Sequence, residues 1–322
     1  MERRWHRPCY GGPERLWRRI GESPTMIPQQ TLSRLKYLPQ LAPTESALVQ
    51  TRFDAPGSAL WVSMVPRDAK PHNFSLELLS SLQSLTEHFD DLGPRWEGDA
   101  GEEPVHYVIL RSLHPEYFSL GGDLAHFLEC IRARDAHALQ HYSMQCLDMI
   151  YRWATVLNRS STTLSLVQGR ALGGGFEAAL AADFIIAEEQ AEFGLPEILF
   201  GLFPCSGGMS LLARRIGVAS AERIMRTGKI YSAAEMLEMG VIDEICPTGR
   251  GEAAVREFVA EHAKRRKARM ALQRARCRMQ PLDYAELATV VDEWVDTALQ
   301  LDADEIRVLE TLVRMQRTEF AH

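Results

Sequence analysis

Three short runs of β-forming residues alternate with helical stretches through the middle of the chain, and this order restricts the fold more than any other feature. The runs are "VHYVILRS" (105–112), "TTLSLVQG" (162–169) and "DFIIAEE" (183–189), apolar segments bounded by polar or turn-forming residues, as buried strands are. A helical stretch from about 123 to 157 separates the first two, and a short helix opened by three glycines separates the last two. Strands joined through helices pair in parallel, with right-handed crossovers and helices covering the sheet. The expectation is an α/β protein whose ligand lies outside the carboxyl ends of its strands.

Upstream, "SALWVSMVP" (58–66) reads as a strand, and "SLELLSSLQSLTEHF" (75–89) as a helix with Leu76, Leu78, Leu79, Leu82 and Leu85 at helical spacing. Residues 93–104 read as a polar loop, residues 113–124 as a loop with a glycine pair, and the final third as helix. Within that third, residues 256–278 hold nine Lys or Arg against Glu257 and Glu261, whereas residues 283–310 hold nine Asp or Glu against Arg307. Such blocks read as solvated faces, with a subunit contact or a docking surface for an acidic carrier as the rival reading.

Several function classes drop out on composition. A net charge of −7 offers no general attraction to nucleic acid or to anionic membrane. No apolar run approaches the ~20 residues of a membrane span. The Arg-rich start lacks the apolar core of a secretory signal and reads as a tail. The six cysteines form no CxxC pair, and no Glu follows His137 in the His137/His141 spacing as HExxH requires, so no metal, disulfide framework or cofactor is expected. These features suit a reduced, cytoplasmic compartment.

The chemistry concentrates in "RALGGGFEAAL" (170–180). Gly173-x-Gly175-x-x-Ala178 formally fits the dinucleotide fingerprint, but the following helix is only about two turns, short for a crossover. No Gly-Lys-Ser/Thr follows, so a phosphate-binding loop is excluded. The other use of glycine at a helix start is to bare amide groups for a negative oxygen. A second glycine-flanked turn, "FSLGGDL" (118–124), comes to the same sheet edge and supplies a second donor, so the two loops can grip a thioester carbonyl as it becomes an enolate. Glu177 follows Gly174 by three residues, one helical turn. Glu197 sits in the apolar "EFGLPEILFGLFP", where a carboxyl has a raised pKa suited to proton transfer; the alternative is a helix cap after Pro196.

"FSLGGDL", "VQGRALGGGFEAALAADFIIAEE" and "FGLPEILFGLFP" resemble the enoyl-CoA hydratase/isomerase (crotonase) superfamily, in its order and spacing. Within it, "ALWVSMVP", "LGGDLAHFLECIRARD" and "GEAAVREFV" look like the diffusible-signal-factor synthases of RpfF type, over roughly residues 45 to 315. The resemblance implies a crotonase-like ββα spiral core with a C-terminal helical region. It divides the chain into a poorly ordered extension (1–30), a catalytic core (31–250) and helices for oligomerisation or partner binding (251–322). It makes Glu177 and Glu197 the catalytic carboxylates and Leu120 and Gly174 the oxyanion donors. Gly121, Gly122, Gly173, Gly175, Leu199, Phe200, Leu202, Phe203 and Cys205 then shape the substrate site, with Cys205 standing where the family usually has Gly. The implied reaction is dehydration of a 3-hydroxyacyl thioester to a cis-2-enoyl thioester, then hydrolysis to a free fatty-acid signal. The implied partners are an acyl carrier protein or coenzyme A and a sensor kinase, with the protein a homotrimer or hexamer. An ordinary enoyl-CoA hydratase, or a non-catalytic regulatory binder, is the alternative.

Overall fold

The computed structural model describes residues 47–67, 70–98 and 101–319, so the expected extension over residues 1–30 lies outside the described residues. β1 (Val49–Asp54) and β2 (Ala59–Met64) form an antiparallel hairpin, followed by α1 (Leu76–Leu92). Ser75 caps α1 by accepting from the Leu78 amide, and Leu78, Leu79, Leu82 and Leu85 are buried as their spacing requires. The segment read as a polar loop is instead a second hairpin, β3 (Arg95–Gly98) with β4 (Gly101–Pro104). Its alternating exposed and half-buried residues carry no apolar signal, which is why its sequence reads as loop.

The core is a repeated excursion between two sheets. β5 (Tyr107–Ser112) leads to β6 (Tyr117–Ser119), then to α2 (Leu124–Ala133) and α3 (Ala136–Thr155). β7 (Thr162–Val167) leads to β8 (Arg170–Leu172) and α4 (Gly174–Leu180). β9 (Phe184–Glu188) leads to β10 (Glu192–Gly194), followed by α5 (Gly208–Ile216) and α6 (Val218–Thr227). After β11 (Ile230–Ser232), α7 (Ala233–Glu238) and β12 (Glu244–Cys246), the chain continues as α8 (Gly251–Ala263), α9 (Arg266–Met279), α10 (Tyr284–Ala298) and α11 (Ala303–Glu319).

The large sheet has the order β1-β2-β5-β7-β9-β12 and the small one β11-β10-β8-β6. Each of β5, β7 and β9 therefore hands the chain to a three-residue strand of the small sheet before a helix returns it. This is the ββα spiral. All pairings from β2 through β12 in the large sheet are parallel, and β5 and β7 are buried along almost their whole length, as parallel strands covered on both faces are. The helical stretch expected from about 123 to 157 is made of two helices. Arg134, in the left-handed region at φ 52°, ends α2, and the Asp135 side chain caps α3 through the Ala138 amide.

The main core fills the space between the sheets and α1–α5, with α10 and α11 packed over it through Trp294 and Leu309. A second core, around Trp61, Tyr107 and Ile109, joins the outer face of the large sheet to Val255 and Val259 of α8. Among the described residues no helix is long and apolar enough to cross a membrane.

Candidate active site

The turns leaving β6 and β8 meet at one edge of the small sheet, whose parallel pairing β6·β8 places them side by side. Gly121 and Gly173 lie at φ +88° and +52°, a region that suits glycine. A Cβ on Gly121 would lie 2.7 Å from the Gly174 nitrogen, and one on Gly173 would lie 2.7 Å from Glu197 Oε1. Both positions thus need bare backbone because another part of the site presses against them. α4 begins at Gly174, so its first amides have no partner within the helix.

Leu120 does not supply the second donor. Its N–H donates to the His72 carbonyl at 2.8 Å, and the neighbouring Gly121 N–H donates to Ser119 Oγ at 3.1 Å. The amide of this turn beside Gly174 is that of Gly122, whose nitrogen lies 3.5 Å from where a Gly174 Cβ would be. Gly122 and Gly174 both line a cavity of about 140 Å³, and Leu120 contributes only its bulk to the same wall.

Two carboxylates share that cavity. Glu177, one turn into α4, is buried, and its Oε1 accepts from the Gly208 amide (2.8 Å) and the Ser206 amide (2.9 Å) at the start of α5. Burial pushes its pKa up to about 7, and the two amides, which favour the charged form, hold it below what burial alone would give. Glu197 opens a 3-10 turn (Glu197–Phe200) after Pro196. The residue as a whole is half-buried, but Oε2 is enclosed and has no hydrogen-bond partner. Burial, and then the charge of Glu177, lift its pKa to about 8. Near neutral pH the pair therefore holds about one proton and titrates as a unit.

The rest of the cavity is apolar. Phe200, Leu202, Phe203 and Cys205 line it together with Gly173. Cys205 has its Sγ 3.5 Å from Ser206 Oγ, and burial pushes its thiol well above the usual range. Leu199 does not belong: it is 60% exposed and points away, towards Gly228. Gly121 and Gly175 do not line the cavity either; Gly175 packs against the Ser119 carbonyl and Gly121 against the Leu172 carbonyl, which fixes the loops rather than the ligand.

Sequence reasoning missed the far wall. It comes from Phe127 of α2, Cys146, Met149 and Ile150 of α3, Trp294 of α10, and Leu312 and Gln316 of α11. The Phe127 and Trp294 rings meet there with centroids 4.9 Å apart and planes tilted by 55°. Cys146, Met149 and Ile150 stand at i, i+3, i+4, the pattern of any core-facing helix, so no local signal separated a ligand wall from packing. Ser206, whose amide clamps Glu177, was missed for the same reason.

The enoyl-CoA hydratase/isomerase family profile matches residues 87–301. A probable enoyl-CoA hydratase of Rhizobium meliloti (strain 1021) is 40% identical over 103 residues, which are 32% of this chain and 40% of that protein. Probable enoyl-CoA hydratase 2, mitochondrial, of Arabidopsis thaliana is 29% identical over 229 residues, 71% of this chain and 66% of that protein. The chain thus spans less than two thirds of the length of either relative. The crystal structure of an enoyl-CoA hydratase from Bacillus halodurans superposes with a TM-score of 0.67 at 23% identity, covering 82% of this chain and all of that one, and shares its fold. With its spiral core, its paired glycine turns and this profile match across two thirds of its length, the chain belongs to the enoyl-CoA hydratase/isomerase family, within the crotonase superfamily.

Proposed function

We propose that the protein adds or removes water across the Cα–Cβ bond of an acyl thioester. One observation carries this reading: two buried carboxyls sharing about one proton face a single apolar cavity beside two adjacent backbone amides. The Gly122 and Gly174 amides bind the thioester oxygen and stabilise the enolate that forms when the Cα–H bond breaks. In dehydration Glu197 accepts the Cα proton, Glu177 delivers a proton to the β-hydroxyl, the C–O bond breaks, and water leaves as the double bond forms. Hydration runs the same steps backwards. Its starting state needs Glu177 ionised and Glu197 protonated, and the two amides on Glu177 Oε1 favour that arrangement, which supports hydration of an enoyl thioester as the second reading. The two relatives named as probable enoyl-CoA hydratases point the same way.

The finer reading is synthesis of a cis-2-enoic acid signal from a 3-hydroxyacyl thioester on an acyl carrier protein or coenzyme A, with hydrolysis by the same pair. Its support is the likeness of "LGGDLAHFLECIRARD" and "GLPEILFGLFP" to the signal synthases, together with a cavity wall suited to an aliphatic tail. The experiment that separates the readings offers the protein a carrier-bound 3-hydroxyacyl substrate and, separately, a trans-2-enoyl-CoA, with products read by mass spectrometry. Free cis acid from the first supports the finer reading. Reversible hydration of the second without free acid replaces it with the hydratase, and no turnover of either removes the lyase proposal.

A further inference from the structure

The turn "SLGGD" (119–123) has four amides after Ser119, and three of them are taken. Leu120 donates to the His72 carbonyl (2.8 Å), Gly121 to Ser119 Oγ (3.1 Å) and Asp123 to the Tyr142 hydroxyl (2.8 Å). Gly122, between the last two, makes no hydrogen bond among the described residues, and its nitrogen is the one beside Gly174. The turn lies along a short segment, residues 72–74, that precedes α1. Phe74 donates its amide to the Gly121 carbonyl (2.8 Å) and pairs with Gly122 as an isolated parallel bridge. His72 is anchored in its turn, with Nε2 2.8 Å from Ser112 Oγ at the end of β5. The large sheet thus sets where this segment lies, and the segment sets where the glycine turn lies.

Tyr142 of α3 locks the two together. Its side chain is fully buried, and its hydroxyl donates to the Phe74 carbonyl (2.5 Å) while accepting from the Asp123 amide. One oxygen therefore clips segment to turn, one residue past the Gly122 amide. The Phe127 ring, edge-on to Tyr142 at 5.1 Å, presses on Gly122 so closely that a Cβ there would lie 2.7 Å from it. Burial pushes the Tyr142 pKa well above the usual phenol value, so the hydroxyl remains a donor well beyond neutral pH. Tyr142 itself does not line the acyl cavity.

We infer that Tyr142 is a positioning residue for the reaction: its hydroxyl fixes the Phe74 and Asp123 backbone so that the Gly122 and Gly174 amides stay aligned on one thioester oxygen. The inference rests on the role proposed above for those two amides. Without the hydroxyl, the Asp123 amide and the Phe74 carbonyl lose a partner, and the turn can rotate about its two glycines. Apolar contacts to the acyl chain are untouched, so binding survives while the developing oxyanion is held by one aligned amide instead of two.

The test compares Tyr142→Phe with Ser161→Ala, which removes another buried hydroxyl from a backbone carbonyl, that of Val105 (2.7 Å), away from the cavity lining. Difference infrared spectroscopy on the full chain reads the carbonyl stretch of bound octanoyl-pantetheine, isotope-labelled at the thioester carbon. Pantetheine is the part that both carriers share. Wild type and Ser161→Ala should lower the stretch equally relative to the free ligand. Tyr142→Phe, with a cooperative melt, should lose about half of that lowering or more, as expected when one of two donors is misaligned. Its kcat should fall by about 10–100-fold while KM moves less than about threefold, a split that lost stability alone does not produce. A bound carbonyl in Tyr142→Phe that matches wild type, a KM that rises while kcat holds, or an equal loss in Ser161→Ala overturns the inference. A wild type that does not lower the stretch at all removes the two-amide reading and the role of Tyr142 with it, so the wild-type spectrum tells the two failures apart.

Discussion

Glu177 Oε1 accepts two amide hydrogen bonds while Glu197 Oε2 accepts none, and this asymmetry decides how the pair holds its proton. If catalysis needs one carboxylate and one carboxylic acid, the rate peaks between the two apparent pKa values, about 7 and about 8. It falls at lower pH as Glu177 takes a proton and at higher pH as Glu197 loses its own; a pH–rate profile with no basic limb contradicts this. Glu177→Gln and Glu197→Gln should each lower turnover by about 10²–10⁴-fold with the fold intact by circular dichroism. Gly174→Pro replaces the first residue of α4, where proline is tolerated, and removes the amide; single-turnover rates should drop by about 10²–10³-fold. The carboxylates were legible in sequence because charge in an apolar run is conspicuous. The second donor was not: "SLGGD" offers consecutive amides, and only the bond from Leu120 to the distant His72 carbonyl shows which one is taken.

The site depends on how α4 and α5 begin, since the start of α5 clamps a carboxylate projecting from α4. A Cβ at Gly208 would lie 2.9 Å from Pro204 Cβ and 3.0 Å from Glu177 Oε1, so Gly208→Ala must displace the clamp. The amides hold the Glu177 pKa down, so loosening them raises it, and the acidic limb of the pH–rate profile should move to higher pH. Alanine favours a helix over glycine by roughly 1 kcal/mol, so thermal stability should change little. An unmoved acidic limb shows that the two amides do not tune Glu177. Long elements were readable from their periodicity, as α1 and β5 show. Three-residue strands such as β6, β8 and β10 were not, because their pairing partners, not their own residues, make them strands.

For the whole molecule, burying the carboxyl pair has a cost that grows with pH. Both folded pKa values lie above the unfolded value of about 4.5, so their contribution to stability is complete below that pH and is lost as pH rises through about 8. Buried His72, near 4 when folded against 6.5 unfolded, acts at the other end: its stability is present above 6.5 and lost as pH falls towards 4. The melting temperature of Glu197→Gln should therefore gain on wild type between pH 5 and pH 9 by calorimetry, and a constant difference contradicts the assignment. The alternation of strands and helices made the α/β class legible. It did not reveal the second sheet or the closing role of the C-terminal helices, because both are contacts between segments far apart in sequence. That distance has a consequence for synthesis. A nascent chain possesses both carboxylates and both amides once Glu197 has emerged from the ribosome, yet Phe127, Met149 and Ile150 face water until Trp294 and Leu312 follow more than ninety residues later. Over that interval the future ligand cavity is an open greasy slot, the surface on which a chaperone or an errant neighbour would seize this protein.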